Sequence, residues 1–379
     1  MKCFYCFKPF RPEELRLRCG NGMCVQVEDP VHQAYLGSSI RYLNKIIFDQ
    51  KQGSKFEGNC PKCSKPAKTL VCPHCHNEIP FEMIDANIAV VSLIGVSGVG
   101  KTHYVTLLLK QALNNLNRYG ISVRRLGEQT FKRLDENYDK YLTAENPSVI
   151  PRTVTAQANT EIRYPWIISL DRKRRSLFSQ SFKSIYLVIY DAAGEDFLSA
   201  DLIHTNVASI SESDGWIFLL DPLQFPGLRN RLPPDQLPDA VSDQSAAIER
   251  AYNYVREATK AKIVKKPVAM TMTKIDVLEP NREDFGLPAR IFRHRENTDP
   301  TKMHEKDITD GDGIIRSLVT KYMDGNFITQ TDTYFKIGRF FGVSALGSSP
   351  QEGMIVNELM PLRLEDPILW LLTALKRWK

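Results

Sequence analysis

Ala89–Thr102 reads AVVSLIGVSGVGKT, and this stretch decides the fold. Ala89 to Ile94 are apolar apart from Ser92, the composition of a buried strand. Gly95-Val96-Ser97-Gly98-Val99-Gly100-Lys101-Thr102 follows at once and fits G-x-x-x-x-G-K-[ST] in full. A helix-like run, Tyr104 to Asn117, comes next. Strand, glycine loop and helix in that order separate a phosphate loop from a chance match. The glycines let successive backbone N–H groups of Ser97, Gly98, Val99 and Gly100 curl around phosphate oxygens. The helix N-terminus adds partial positive charge. Lys101 is expected to reach the β- and γ-phosphates and the Thr102 hydroxyl to bind Mg²⁺. Lys101 is taken to lie on a surface loop.

Downstream, further strands each deliver a polar motif. Pro151-Arg152-Thr153-Val154-Thr155 offers hydroxyls for Mg²⁺ and a γ-phosphate, Thr153 first and Thr155 second. A plain β-edge loop is the other reading. Trp166–Leu170 and Ser184–Tyr190 read as strands joined by DRKRRSLFSQSF, a basic hairpin tip or a docking patch for an acidic partner. The second strand runs into Asp191-Ala192-Ala193-Gly194-Glu195. Asp191 can hold Mg²⁺ through water, and Gly194 can bring its N–H to the γ-phosphate. Ser213–Leu220 and Pro267–Thr273 are the next strands, and the latter ends in Thr273-Lys274-Ile275-Asp276. A carboxylate at Asp276 accepts from both N1–H and the 2-amino group of guanine, whereas adenine leaves it unpaired. Such a lost buried partner discriminates by about 10⁴–10⁵. The Lys274 stem can cover the base or the loop. Phe335–Val343 is a last strand, followed by Ser344-Ala345-Leu346-Gly347, whose backbone N–H groups can meet guanine O6. Ile121–Asn159 reads as a long polar and aromatic stretch, Leu223–Pro238 and Asn281–Asp310 as insertions, and Leu362–Trp378 as a closing helix.

All eight cysteines fall in the first 75 residues, as Cys3-x₂-Cys6, Cys19-x₄-Cys24, Cys60-x₂-Cys63 and Cys72-x₂-Cys75. Two such knuckles close a Cys₄ zinc site, so the head is expected to hold two Zn²⁺ ions. Consecutive sites, Cys3/Cys6/Cys19/Cys24 and Cys60/Cys63/Cys72/Cys75, are the simplest pairing. A cross-braced arrangement is the alternative. His32, His74 and His76 are spare ligand types, more simply neighbours of completed sites. Val31–Phe48 looks helical and Asn77–Asp85 reads as a linker. The expected organisation is a zinc-binding head, residues 1–85, separable from an α/β, doubly wound nucleotide domain, residues 86–379, with insertions near 222–238 and 277–310. The net charge of +6 is a weak signal for an anionic partner. The head lacks a dense basic stripe with interleaved aromatics, so protein contact is favoured over nucleic acid. No run reaches the length of a membrane span, and MKCFYCFKPF has no apolar signal core. A cytoplasmic protein is expected, and a reducing compartment suits metal-bound thiols.

GVSGVGKT, DAAGE, TKID and SALG, in that order after successive strands, resemble a P-loop GTPase of the switch class, the class of translation factors and Ras-like proteins. With CFYC, CPKC, CPHC, DPLQFPG and the tail EDPILWLL, the whole chain is similar to bacterial double-GTPase proteins with a zinc-ribbon head. The resemblance implies GTP/GDP and Mg²⁺ as ligands and slow hydrolysis. It also implies partner proteins encoded nearby, some in antiviral defence or conflict systems. Lys101, Thr153 and Glu195 become the catalytic candidates. Glu195 stands where small GTPases usually carry Gln after DxxG, and Ser97 where many carry Gly, so binding is favoured over fast turnover. Arg152 is a candidate arginine finger. The rival reading is a zinc-ribbon scaffold whose nucleotide site does not turn over.

Overall fold

The computed structural model describes residues 1–37, 41–50, 56–151, 164–174, 181–191, 204–234, 237–238, 241–294 and 305–378. Seven strands make the central sheet: β1 (Ile88–Ile94), β2 (Ile121–Leu126), β3 (Trp166–Arg174), β4 (Ser181–Asp191), β5 (Gly215–Leu220), β6 (Val268–Met272) and β7 (Gly338–Gly342). Their order across it is β7-β6-β5-β1-β4-β3-β2. From β7 to β4 all neighbours are parallel, and β3 and β2 are added antiparallel. Strand order reverses at β1, with β4 on one side and β5 on the other. The loops leaving these strands diverge there, which is where open parallel sheets bind ligands.

The helices that position the site are α1 (Lys101–Lys110), α2 (Glu128–Leu134), α3 (His204–Glu212), α4 (Gln244–Thr259), α5 (Glu305–Tyr322), α6 (Gly325–Tyr334) and α7 (Asp366–Ala374). α4 begins where the Asp243 side chain accepts from the Ala246 N–H, an N-cap. α7 is buried from Asp366 to Leu372 against β5 and β6. It closes the fold, and among the described residues no helix is long and apolar enough to cross a membrane. The described part of the 121–159 stretch, residues 121–151, is more regular than its polar composition suggests. It supplies edge strand β2, α2 and a wide helical turn over Asp135–Leu142.

β4 shows how the head joins the sheet. A strand turns alternate side chains to opposite faces. Ile185, Leu187 and Ile189 enter the core shared with β1 and α1. Tyr186, Val188 and Tyr190, with Ile167 of β3, enter a second core built with Cys3, Phe4, Tyr5, Phe7, Leu15, Leu17, Leu70, Cys72, Cys75, Ile79 and Met83. β4 pairs parallel with β1, and parallel strands are covered on both faces; over β4 and its antiparallel neighbour β3 the cysteine-rich head is one of the two covers. Residues 77–85 are therefore no linker, because Ile79 and Met83 are buried in this joint.

Within the head, Arg16–Arg18 pairs antiparallel with both Ile47–Asp49 and Thr69–Val71. The expected helix over Val31–Phe48 is only Pro30–Leu36. Asp29 caps its start through the His32 N–H, Pro30 stands at the first turn, and Gly37 ends it in the left-handed conformation. Beyond it, Leu43–Lys45 and Ile47–Asp49 are strands.

Candidate functional site

The phosphate-loop sequence spans the turn from β1 to α1. Gly95 is packed so that a Cβ would come within 3.0 Å of the Leu219 carbonyl. Gly98 and Gly100 take φ values of +77° and +91°, which only glycine adopts without strain. Lys101 lies deeper than expected of a surface loop. It is 8% exposed, and its ammonium donates to the carbonyls of Gly95 at 2.9 Å and Val96 at 3.3 Å. The Thr102 hydroxyl donates to Asp191 Oδ2 at 3.2 Å, so the two Mg²⁺ candidates from α1 and β4 meet. Burial pushes the Asp191 carboxyl above the usual range, and the charges of Lys101 and Arg133 and the Thr102 hydrogen bond oppose that rise. Arg152, Thr153, Thr155, Gly194 and Glu195 lie outside the described residues, as does the 175–180 hairpin tip.

On the other side of the loop, the Thr273 hydroxyl lies 3.0 Å from the carbonyls of both Val99 and Leu220. Lys274, in the left-handed conformation, donates to Gly98 O at 3.1 Å and to Asp221 Oδ2 at 2.6 Å. Asp221 is wholly buried. It also accepts from the Leu223 N–H and Gln224 Nε2, while Gln244 holds its backbone. Burial raises the Asp276 carboxyl, opposed by a hydrogen bond with Ser344 and the charge of Lys274. The Ser344 hydroxyl accepts from the Gly347 N–H at 2.9 Å, which shapes the SALG turn. Gly98, Val99, Gly100, Thr273, Lys274, Asp276, Ser344, Ala345 and Leu346 line one cavity of about 440 Å³. Ser97, Lys101, Thr102 and Asp191 are not among its lining residues; Lys101 and Thr102 begin α1 directly after that lining.

Two residues of this site carried no sequence signal. His103 Nε2 accepts from the Ile150 N–H at 2.9 Å, tying residue 150 to α1, while Val149 donates to the Gly353 carbonyl. Burial, then the Lys274 charge, pushes His103 down to about 4, so it is a neutral acceptor at neutral pH. Asp221 follows an apolar strand and precedes Pro222, the pattern of an ordinary turn.

The cysteines form two clusters of four, Cys3/Cys6/Cys72/Cys75 and Cys19/Cys24/Cys60/Cys63, with the sulfurs of each within 4.8 Å of one another. The pairing is nested: the first knuckle joins the fourth and the second joins the third. It is neither consecutive nor cross-braced. The cause is the antiparallel pairing of 16–18 with 69–71, which sets Leu17 opposite Leu70. Residues before 16 then face residues after 71, and residues after 18 face residues before 69. The donor chemistry fits a closed tetrahedral zinc site. All eight thiols are free of disulfides. Cys3 Sγ accepts from the Tyr5 N–H, Cys72 Sγ from the His74 N–H, and Cys75 Sγ from Asn77 Nδ2. Such N–H···S bonds support thiolates and orient them. The spare histidines have other partners. His32 Nδ1 meets the Cys75 carbonyl at 2.9 Å, His76 Nδ1 meets Asp29 at 2.8 Å, and His74 Nε2 meets Pro9 O at 3.1 Å.

No family model matches the chain. It is 26% identical over 396 residues to SaeC of Mycolicibacterium smegmatis, covering 97% of both chains; that protein is provisionally named as an ESX-1 scaffolding and assembly protein. Solved structures similar to it include a protein named as a small GTPase and a GTPase-like domain. Era of Aquifex aeolicus matches with TM-score 0.32 and 12% identity over 76% of this chain and 57% of its own. The Ski7 GTPase-like domain of S. cerevisiae matches at 0.31 and 13%, over 76% and 50%. Arl6 of Trypanosoma brucei matches at 0.30 and 10%, over 76% and 99%. The chain thus spans about half the length of the first two. At these scores the fold assignment rests on the strand order and loop geometry above. None of these similarities points to the defence setting that the sequence resemblance implied.

Proposed function

We propose that the chain is a guanine-nucleotide-binding scaffolding protein, with a zinc-loaded head that contacts protein partners. One observation carries the nucleotide half. The glycine loop, the Thr273–Asp276 turn and Ser344–Leu346 converge on a single cavity large enough for a base. In this reading the N–H groups of Ser97 to Gly100 cradle the phosphates and Lys101 swings from its two carbonyls to the β- and γ-oxygens. Thr102 and Asp191 hold Mg²⁺, which when bound neutralises phosphate charge. Asp276 reads N1–H and the 2-amino group, and the Ser344–Leu346 backbone meets O6. Thr153 and Gly194 complete the γ-phosphate side, and Glu195 orients water for slow hydrolysis. Cys3, Cys6, Cys72 and Cys75 would hold one Zn²⁺, and Cys19, Cys24, Cys60 and Cys63 a second.

The scaffolding half is supported by the similarity to SaeC along nearly the whole chain. In this reading nucleotide sets which partners the chain holds, and turnover is secondary. Equilibrium binding of GTP, GDP and ATP tests the site. Single-turnover hydrolysis, with and without the products of neighbouring genes, tests whether the site is a switch or a fixed ligand. Binding with no hydrolysis under any condition leaves a nucleotide-braced scaffold, and no nucleotide binding removes the proposal.

A further inference from the structure

We infer that the Cys3/Cys6/Cys72/Cys75 site is linked to the nucleotide site, so that a metal ion there tightens nucleotide binding and nucleotide tightens the metal. This rests on the nucleotide reading above. The link runs through two tyrosines. Tyr190 and Asp191 are consecutive on β4 and so point to opposite faces of the sheet. On one face the Tyr190 hydroxyl donates to the Phe4 carbonyl, inside the Cys3-x₂-Cys6 knuckle, and its ring lies 5.7 Å from that of Phe7. On the other face Asp191 accepts from Thr102 of the phosphate loop. A shift of one side chain moves the backbone that carries the other.

The second link starts at the fourth knuckle. The Cys75 carbonyl is bonded to His32 Nδ1, and His32 Nε2 is bonded to the Tyr164 hydroxyl at 3.0 Å. The Tyr164 carbonyl accepts from Arg133 at 2.6 Å. Arg133 lies 3.9 Å over the ring of Trp166, which pairs with Ile189 of β4, two residues before Asp191. Both knuckles of this one cluster therefore reach the end of β4 that carries Asp191, one through Tyr190 and one through Tyr164, Arg133 and Trp166. Cys3, Cys72, Cys75 and Tyr190 also share one packed core. The Cys19/Cys24/Cys60/Cys63 cluster packs instead with Ile46 and Phe48 of the head itself.

Each knuckle keeps its own backbone turn, but without a cation the two knuckles meet at the sulfurs only through weak thiol contacts at 3.8 and 3.9 Å, so their spacing is held less firmly. The Phe4 and Cys75 carbonyls are then less fixed in position, and the two tyrosines less firmly anchored. Coupling of this kind is reciprocal. The test uses the full chain loaded with zinc, and Tyr190→Phe, which keeps the ring and removes the hydroxyl. Zinc per chain and GDP·Mg²⁺ affinity are measured together. Tyr190→Phe should keep two zinc ions and bind GDP at least about 5-fold more weakly, the lower end of ordinary coupling between sites. In the wild type, GDP should raise zinc retention against a zinc-selective chelator, whereas in Tyr190→Phe that gain should shrink. Tyr164→Phe should act in the same direction, and it serves if Tyr190→Phe does not fold. Cys60→Ser should lose one zinc and keep GDP affinity within twofold. Unchanged GDP affinity in both tyrosine variants overturns the linkage and leaves the nucleotide reading intact. An equal loss in Cys60→Ser overturns its assignment to one cluster. A wild type that binds no GDP overturns both readings.

Discussion

The two cysteine clusters have the same four donors and opposite surroundings. Cys3, Cys72 and Cys75 lie in a core that continues into Tyr186, Val188 and Tyr190 of the sheet. Cys19, Cys24 and Cys60 touch only the head, and beside them Met23, Val25 and Leu43 stand in solvent. Identical donor sets therefore have different surroundings to support. In the proposed reading a metal at the inner cluster would brace a wall of the sheet, and one at the outer cluster would brace the tip that faces outward. A knuckle's spacing suggests a metal, whereas its neighbours decide what that metal would support.

The largest effect should come from breaking the inner cluster. Structural zinc contributes on the order of 10–16 kcal/mol in zinc-finger peptides, comparable to a typical domain's whole margin of about 5–15 kcal/mol. Cys72→Ser should abolish a cooperative thermal transition, whereas Cys60→Ser should lose one zinc and melt only a few degrees lower by about the rule for 1–2 kcal/mol. Metal analysis with thermal scans checks both, and the reverse ranking would break the comparison. Truncation sharpens it further. Residues 86–379 alone expose the tyrosine face of β4, so the fragment should aggregate or elute as a large species. A monomeric, folded fragment would restore the separable head expected from sequence.

Next comes Lys101→Ala, which removes a charged donor to phosphate worth about 1.5–3 kcal/mol, or roughly 10–150-fold in affinity. Direct titration with GDP·Mg²⁺ reads it. Asp276→Asn should cut GTP affinity by about 1–3 kcal/mol and shift preference toward XTP. Xanthine carries an oxo group where guanine has its amino group, and the Asn amide can donate to it. Burial raises the Asp276 carboxyl in the folded chain, so its charged form is a cost to folding above that raised pKa. The same variant should therefore stabilise the nucleotide-free protein slightly. If Asp276 reads guanine as proposed, wild-type GTP affinity should be present above the raised pKa and lost as pH falls through it; Asp276→Asn should flatten that acid limb. The smallest effect belongs to the exposed tip. Met23→Ser should change stability by less than about 0.5 kcal/mol, and a larger drop in chemical denaturation would mean that the tip is packed.

What was legible in the sequence is what neighbours in the chain encode. AVVSLIGVSGVGKT and the helix-like run after it state strand, loop and helix in one stretch, and TKID and SALG each follow a strand, so the α/β order could be read. The nested zinc pairing could not, because it depends on a ladder between residues 16–18 and 69–71, and sequence spacing does not specify which strands pair. The head's seat was hidden for another reason. Ile185 to Tyr190 is apolar on both faces, which announces a buried strand without saying what covers it. Lys101 looked exposed because loops usually are; its two carbonyl partners lie on a backbone turn that the motif imposes but does not spell out. Asp221 and His103 look like ordinary turn and helix residues, and only the folded loops give them Lys274 and Ile150 as partners.

The central claim is that the cavity between the glycine loop and Asp276 reads guanine. Competition of GTP, GDP and ATP against a fluorescent guanine nucleotide on the purified zinc-loaded full chain, with Mg²⁺, tests it most directly. One site per chain should bind GTP and GDP, with ATP weaker by about 10⁴-fold or more, as a lost buried partner demands. Equal competition by ATP, or no saturable binding, would contradict the account.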